Sequence, residues 1–151
     1  MREGHNVAVA RTFSKLYGLA GQRMGYGVML PAMARAIGEF STGSLNMLGI
    51  VAASASLDDS DYATEMRAKI KAARTALVDV VKSLGRRCAE PQGNFVFFHT
   101  GMPVRTFEEK MRVENVAVAR AFPPLLEWAR ISIGTPAEMA RCHAALRKVL
   151  G

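Results

Sequence analysis

Between Arg11 and Gly27 the chain reads R-T-F-S-K-L-Y-G-L-A-G-Q-R-M-G-Y-G. One lysine, Lys15, follows the hydroxyl residues Thr12 and Ser14, and Arg23 comes eight positions after it. Gly18, Gly21, Gly25 and Gly27 are interspersed. Together these side chains suit a phosphate-bearing aldehyde. An amine condenses with the aldehyde to a Schiff base, hydroxyls and a guanidinium grip the phosphate dianion, and glycines let backbone come close.

The run S-K-x-x-G-L-A-G-x-R-x-G-Y, Ser14 to Tyr26 here, resembles the lysine segment of the class I/II aminotransferases. These enzymes use pyridoxal 5'-phosphate (PLP) on the type I fold, and within them the run looks most like the histidinol-phosphate aminotransferase group. Lysine, hydroxyls, glycines and arginine all fall in register, which makes the motif far more specific than a glycine-rich loop alone. The resemblance implies that Lys15 is the catalytic Schiff-base lysine and proton shuttle. It further implies that Thr12, Ser14 and Arg23 join Lys15 in holding the cofactor.

Further along, W-A-R-I-S-I-G-T-P places Arg130 where the family receives the substrate α-carboxylate, a task suited to a planar guanidinium fork. An arginine in an otherwise apolar strand also needs a partner. Arg120, ending Val116–Arg120, resembles the arginine that contacts the substrate phosphate in the histidinol-phosphate group. The following Ala121-Phe122-Pro123-Pro124 departs from that group. The implied substrates are therefore an amino acid or an amino-alcohol phosphate together with a 2-oxo acid.

The elements that must position these residues follow from periodicity and punctuation. Val7 to Arg11 alternates with β-branched residues and predicts a strand that delivers Thr12, Ser14 and Lys15 to its C-terminal end, where ligands of parallel α/β sheets gather. Arg23 to Leu30 is a second strand candidate. Pro31 opens a helix to about Phe40; Ser44 is placed to cap another through Leu57, which reads as buried. Asp58 to Asp61 starts a long helix to Leu84, striped by Tyr62, Met66, Ile70, Ala73, Leu77, Val80, Val81 and Leu84 and ended by Gly85.

Beyond Gly85 the texture turns to short strands and helices. Arg86 to Ala89, Asn94 to His99, Val116 to Arg120 and Trp128 to Ile133 read as strands. Pro103 to Glu114 and Pro136 to Leu150 read as helices, the latter capped by Thr135. The expected fold is α/β: the C-terminal part of the PLP-dependent transferase type I fold. Residues 1–60 would end the large cofactor domain, 61–84 would form a linking helix and 85–151 the small domain.

Half of the 151 residues are hydrophobic, enough for a sizeable core. The net charge of +7 is spread along the chain without interleaved aromatics, so a solvated basic face is expected and not a nucleic-acid site. Cys88 and Cys142 form no C-x-x-C, and His5, His99 and His143 show no metal spacing. Free thiols and no metal are expected. The most apolar run, Leu45 to Leu57, is 13 residues and interrupted by polar ones, short of a membrane span. With no leader-like start after Met1, a cytoplasmic protein is expected.

The resemblance covers nearly the whole chain but only the C-terminal part of the family. The family's aspartate for the cofactor ring nitrogen, its glycine-rich phosphate loop and its stacking aromatic lie upstream of the lysine, so the chain is expected to be a fragment, inactive or nearly so by itself. Full-length members are expected to be homodimers. Two alternatives stand beside aminotransfer: a non-catalytic remnant acting as an interaction module, or another type I PLP enzyme such as a decarboxylase or lyase.

Overall fold

The structure, a computed structural model, describes residues 5–41, 43–118 and 121–151. The chain divides into two compact units, Met1–Arg67 and Ala68–Gly151.

In the first unit, strand β1 (Val9–Thr12) pairs with β2 (Gly25–Val28) in antiparallel register, Val9 opposite Val28 and Thr12 opposite Gly25. The loop between the strands turns the chain back on itself, so the two expected strands are neighbours in one ladder. Gly25 is required by that pairing: a Cβ there would lie 2.6 Å from the Arg11 carbonyl oxygen. Helix α1 (Pro31–Glu39) begins with proline at its first turn, where the missing N–H costs nothing. Helix α2 (Met47–Asp58) follows.

Two expectations for α2 are overturned. Its N-cap is Asn46, not Ser44, and the Asn46 side chain makes no capping bond; its amide donates instead to Gln22 Oε1 at 2.9 Å. Nor is the helix buried. Only Gly49 and Ala53 are, four residues apart on one face, while Leu45, Met47, Leu48, Val51 and Leu57 are exposed. The helix packs through its two small residues, so the large apolar ones occupy the remaining circumference.

Helix α3 (Ser60–Ser83) starts with the Asp59 carboxylate accepting from the Tyr62 N–H at 2.9 Å and ends before Gly85, whose φ of +69° suits a residue without Cβ. The division between the units falls within it. Its apolar stripe is only partly buried: Leu77, Val80 and Val81 are core residues, whereas Tyr62 is exposed.

The second unit is a sheet with helices against one face. Strands β3 (Phe95–His99) and β4 (Trp128–Ser132) pair antiparallel, Phe97 opposite Arg130. Alternation sends Val96, Phe98, Ala129 and Ile131 into a core shared with α3, α4 (Val104–Val113) and α5 (Pro136–Leu150). Burying each large side chain there contributes roughly 1.5–3 kcal/mol. Phe98 meets the edge of Phe107 at 5.9 Å, and Thr135 caps α5 in a reciprocal box with Glu138.

The expected strand at 86–89 is reduced to a bridge, Cys88 to Phe98, flanked by hydrogen bonds from Ala89 to Phe97 and from His99 to Arg87. Residues 116–118 carry no strand, so that part of the Val116–Arg120 expectation is corrected. The loop after Val113 runs beside the sheet without entering its ladder; the rest of that segment, with Arg120, lies outside the described residues. No helix among the described residues is long and apolar enough to cross a membrane.

Candidate active site

The loop after β1 is built around Phe13, which is 3 % exposed. Its N–H donates to the Met24 carbonyl at 3.1 Å and its carbonyl accepts from Leu19 at 3.0 Å. Its ring meets those of Tyr17 and Tyr26 at centroid distances of 5.2 and 5.7 Å. Phe13 thus anchors the loop as its one buried side chain among the described residues.

On either side of that anchor are the hydroxyls. Thr12 Oγ1 accepts from the Ser14 N–H at 3.1 Å, the local turn that threonine favours. Lys15 follows with its side chain exposed, and its carbonyl accepts from Gly18 at 3.0 Å. Gly18 adopts φ +68°, a conformation natural to glycine.

Arg23 holds φ 55° and ψ 44°, a left-handed conformation uncommon outside glycine. The chain turns there from the 3-10 segment Ala20–Gln22 toward β2. Its Nη1 donates to the Ala20 carbonyl at 2.7 Å and makes a long contact of 3.4 Å with Ser14 Oγ. Behind the loop, Gly49 of α2 lets Met24 and the Gln22 carbonyl approach to where a Cβ would stand, and Asn46 holds Gln22.

Thr12, Ser14, Lys15 and Arg23 are therefore brought together on one loop. The segment from Arg11, at the end of β1, to Arg23 contains the cations Arg11, Lys15 and Arg23 and no carboxylate. Hydroxyl and guanidinium donors without a competing acid favour an anion of phosphate type. Sequence reasoning missed Phe13 and Asn46. The signal for Phe13 was its isolation among hydroxyls; Asn46 had none, since its partner is 24 residues away.

Arg130 belongs to the second unit. It extends from the sheet face opposite the core, and its guanidinium carbon lies over the rings of Phe95 at 5.5 Å and Phe122 at 5.2 Å. Its Nε is buried and has no hydrogen-bond partner among the described residues. Among the described residues, the partner of this arginine in an apolar strand is thus aromatic and not acidic, which leaves the Nε donor unspent. Arg120 lies outside the described residues.

Nearby on the same face, the Gly101 N–H donates to His99 Nδ1 at 3.2 Å, so the ring proton sits on Nε2, which faces Glu127 Oε2 at 2.9 Å. That bond gives His99 a structural role. Cys88 and Cys142 are free, and burial pushes the Cys142 thiol up to about 11.

The chain matches the family model described as "Aminotransferase class I and II" over residues 1–146. It is 36% identical over 154 residues to a histidinol-phosphate aminotransferase of Akkermansia muciniphila, covering 99% of this chain and 42% of the relative. A histidinol-phosphate aminotransferase 2 of Pseudomonas fluorescens is 37% identical over 147 residues, covering 96% of this chain and 40% of its own. Among solved structures, histidinol-phosphate aminotransferase from Sinorhizobium meliloti in complex with pyridoxal-5'-phosphate superposes with a TM-score of 0.85 at 32% identity, over 95% of this chain and 41% of that one. The chain thus spans less than half the length of these relatives, and its mixed α/β architecture is part of the type I fold of PLP-dependent transferases. The lysine loop and the elements that carry Arg130 lie within one continuous match, and on that ground the chain belongs to the class I and II aminotransferases.

Proposed function

We propose that this chain supplies the lysine loop and a substrate-binding arginine of a PLP-dependent aminotransferase, one that moves an amino group between an amino acid or amino-alcohol phosphate and a 2-oxo acid. The observation that carries the reading is the loop at residues 12–23. Two hydroxyls, an amine and a guanidinium share it, no acid competes, and a buried phenylalanine fastens it.

The donor set fits the cofactor's phosphate. Ser14 Oγ, Thr12 Oγ1 and the guanidinium of Arg23 would hold that dianion, and Lys15 Nζ would attach to the aldehyde carbon. When bound, the cofactor supplies an electron sink for the pair left on the substrate Cα once its proton is removed. The amine of Lys15, when unattached, would take that proton at Nζ and give it up again. Arg130 grips the substrate carboxylate through its planar fork.

The test is chemical trapping. The purified chain is mixed with PLP, reduced with borohydride and mapped by mass spectrometry beside a Lys15→Ala control. Modification confined to the Lys15 peptide and lost in the control is expected; labelling scattered over surface lysines, or none, would overturn the reading.

A second reading has its own observation. Phe40 is 84% and Leu48 77% exposed, on and beside α1 and α2, and such apolar surface marks interaction sites. In that reading the chain acts as an interaction module.

A further inference from the structure

We infer that Phe95 and Phe122 are positioning residues for Arg130, seating its guanidinium so that its unspent N–H donors meet one carboxylate. The inference rests on the proposed role of Arg130 and goes beyond it by naming what aims the group.

An arginine can be held in two ways. A carboxylate neighbour would fix a guanidinium by taking two of its five N–H donors and neutralising its charge, which weakens its pull on a second carboxylate. An aromatic ring attracts the cation through its electron-rich face and consumes no donor. Arg130 is held in the second way, with two rings within 5.5 Å of its central carbon. A buried donor without a partner costs free energy and calls for an explanation. Nε of Arg130 is such a donor among the described residues, and the two ring contacts are what hold the guanidinium there.

The rings are themselves placed. Phe95 is the first residue of β3, two before the register partner of Arg130, so the sheet sets its distance. Phe122 is fixed by a tight turn in which the Leu125 N–H donates to its carbonyl at 2.8 Å. Its ring also meets the edge of Phe97 at 5.6 Å, and Phe97 packs against Trp128 at 5.2 Å. The sheet face opposite the core is thus an aromatic bed on which Arg130 is seated over Phe95 and Phe122, with Arg87 over Trp128 at 5.9 Å. Without the bed, the long side chain would sample many rotamers and the cost of ordering it would fall on ligand binding.

The experiment follows the arginine Nε–H resonance of Arg130 by nitrogen-15 NMR on the full chain, titrated with pyruvate as the carboxylate probe and with chloride at equal ionic strength. The signal is assigned by its loss in Arg130→Lys. In the unsubstituted chain it should exchange slowly with water and shift with pyruvate but not with chloride. Phe95→Leu and Phe122→Leu should each weaken pyruvate binding about fivefold, the size one cation–π contact implies, and Phe→Tyr at either position should restore it. Folding is controlled by the amide signals of Val96 and Phe98 on the core face.

If the leucine variants bind pyruvate as tightly as the parent while Arg130→Lys does not, the rings do not position the arginine and this inference is overturned alone. If Arg130→Lys binds as the parent does, the role of Arg130 falls and the inference with it. Should the leucine variants fail to fold, the parent still decides: Nε–H exchange as fast as that of an exposed arginine would overturn the seating.

Discussion

The backbone N–H of Phe13 donates to the carbonyl of Met24 at 3.1 Å, so the two ends of the lysine loop are fastened at the residue whose side chain is its buried anchor. Removing that ring takes away packing from both Tyr17 and Tyr26. Phe13→Ala should destabilise the first unit by about 3 kcal/mol, the lower range for a buried phenylalanine. It should also abolish Lys15-specific trapping by PLP although Lys15 itself is intact. Thermal melting followed by circular dichroism and the trapping assay check both parts; trapping at the parental level would show that the loop is ordered without its anchor.

Asn46 should matter more than an exposed asparagine usually does. Its amide reaches Gln22 Oε1 at 2.9 Å, tying the start of α2 to the turn that precedes Arg23. Asn46→Ala is expected to cost about 1 kcal/mol and to raise the concentration of PLP needed for trapping. A change confined to melting, with trapping untouched, would assign the bond to stability only.

The apolar side chains left open on the first unit predict self-association. Phe40, Leu45, Met47, Leu48 and Val51 are all exposed, and apolar surface of this kind is stabilised by any partner that covers it. Sedimentation velocity should show mass rising with concentration, and Leu48→Lys with Val51→Lys should reduce it. A monomer at all concentrations would count against the interaction-module reading.

Stability should fall as the pH is lowered through the ordinary histidine range. Burial first, and the Arg147 charge second, hold His143 below its usual value of 6.5. The unfolded chain therefore takes up a proton before the folded one does, and uptake by the unfolded state favours unfolding. The loss should begin as pH drops through about 6.5 and level off once the folded-state His143 is itself protonated. His143→Gln should flatten that part of the curve; an unchanged slope would place the titration elsewhere.

The lysine motif, the helix order, the strands at Phe95–His99 and Trp128–Ser132 and the cap of α5 are legible in the sequence because each depends on neighbours a few residues apart, whereas the strands expected at 86–89 and 116–118 did not form. Ser14, Lys15 and Arg23 lie in register along one loop, and Thr135 with Glu138 spans one helical turn, so local spacing is enough to read them. What only the tertiary structure decided rests on partners distant along the chain. Asn46 turned from capping α2 to holding Gln22, β1 turned out to pair antiparallel, and α2 buried only its two small residues. Arg130 is the clearest case. The strand pattern shows that a guanidinium in apolar surroundings needs a partner, but sheet register and the turn at Phe122 determine that the partner is aromatic, which is why no acid among the described residues occupies its hydrogen-bond donors.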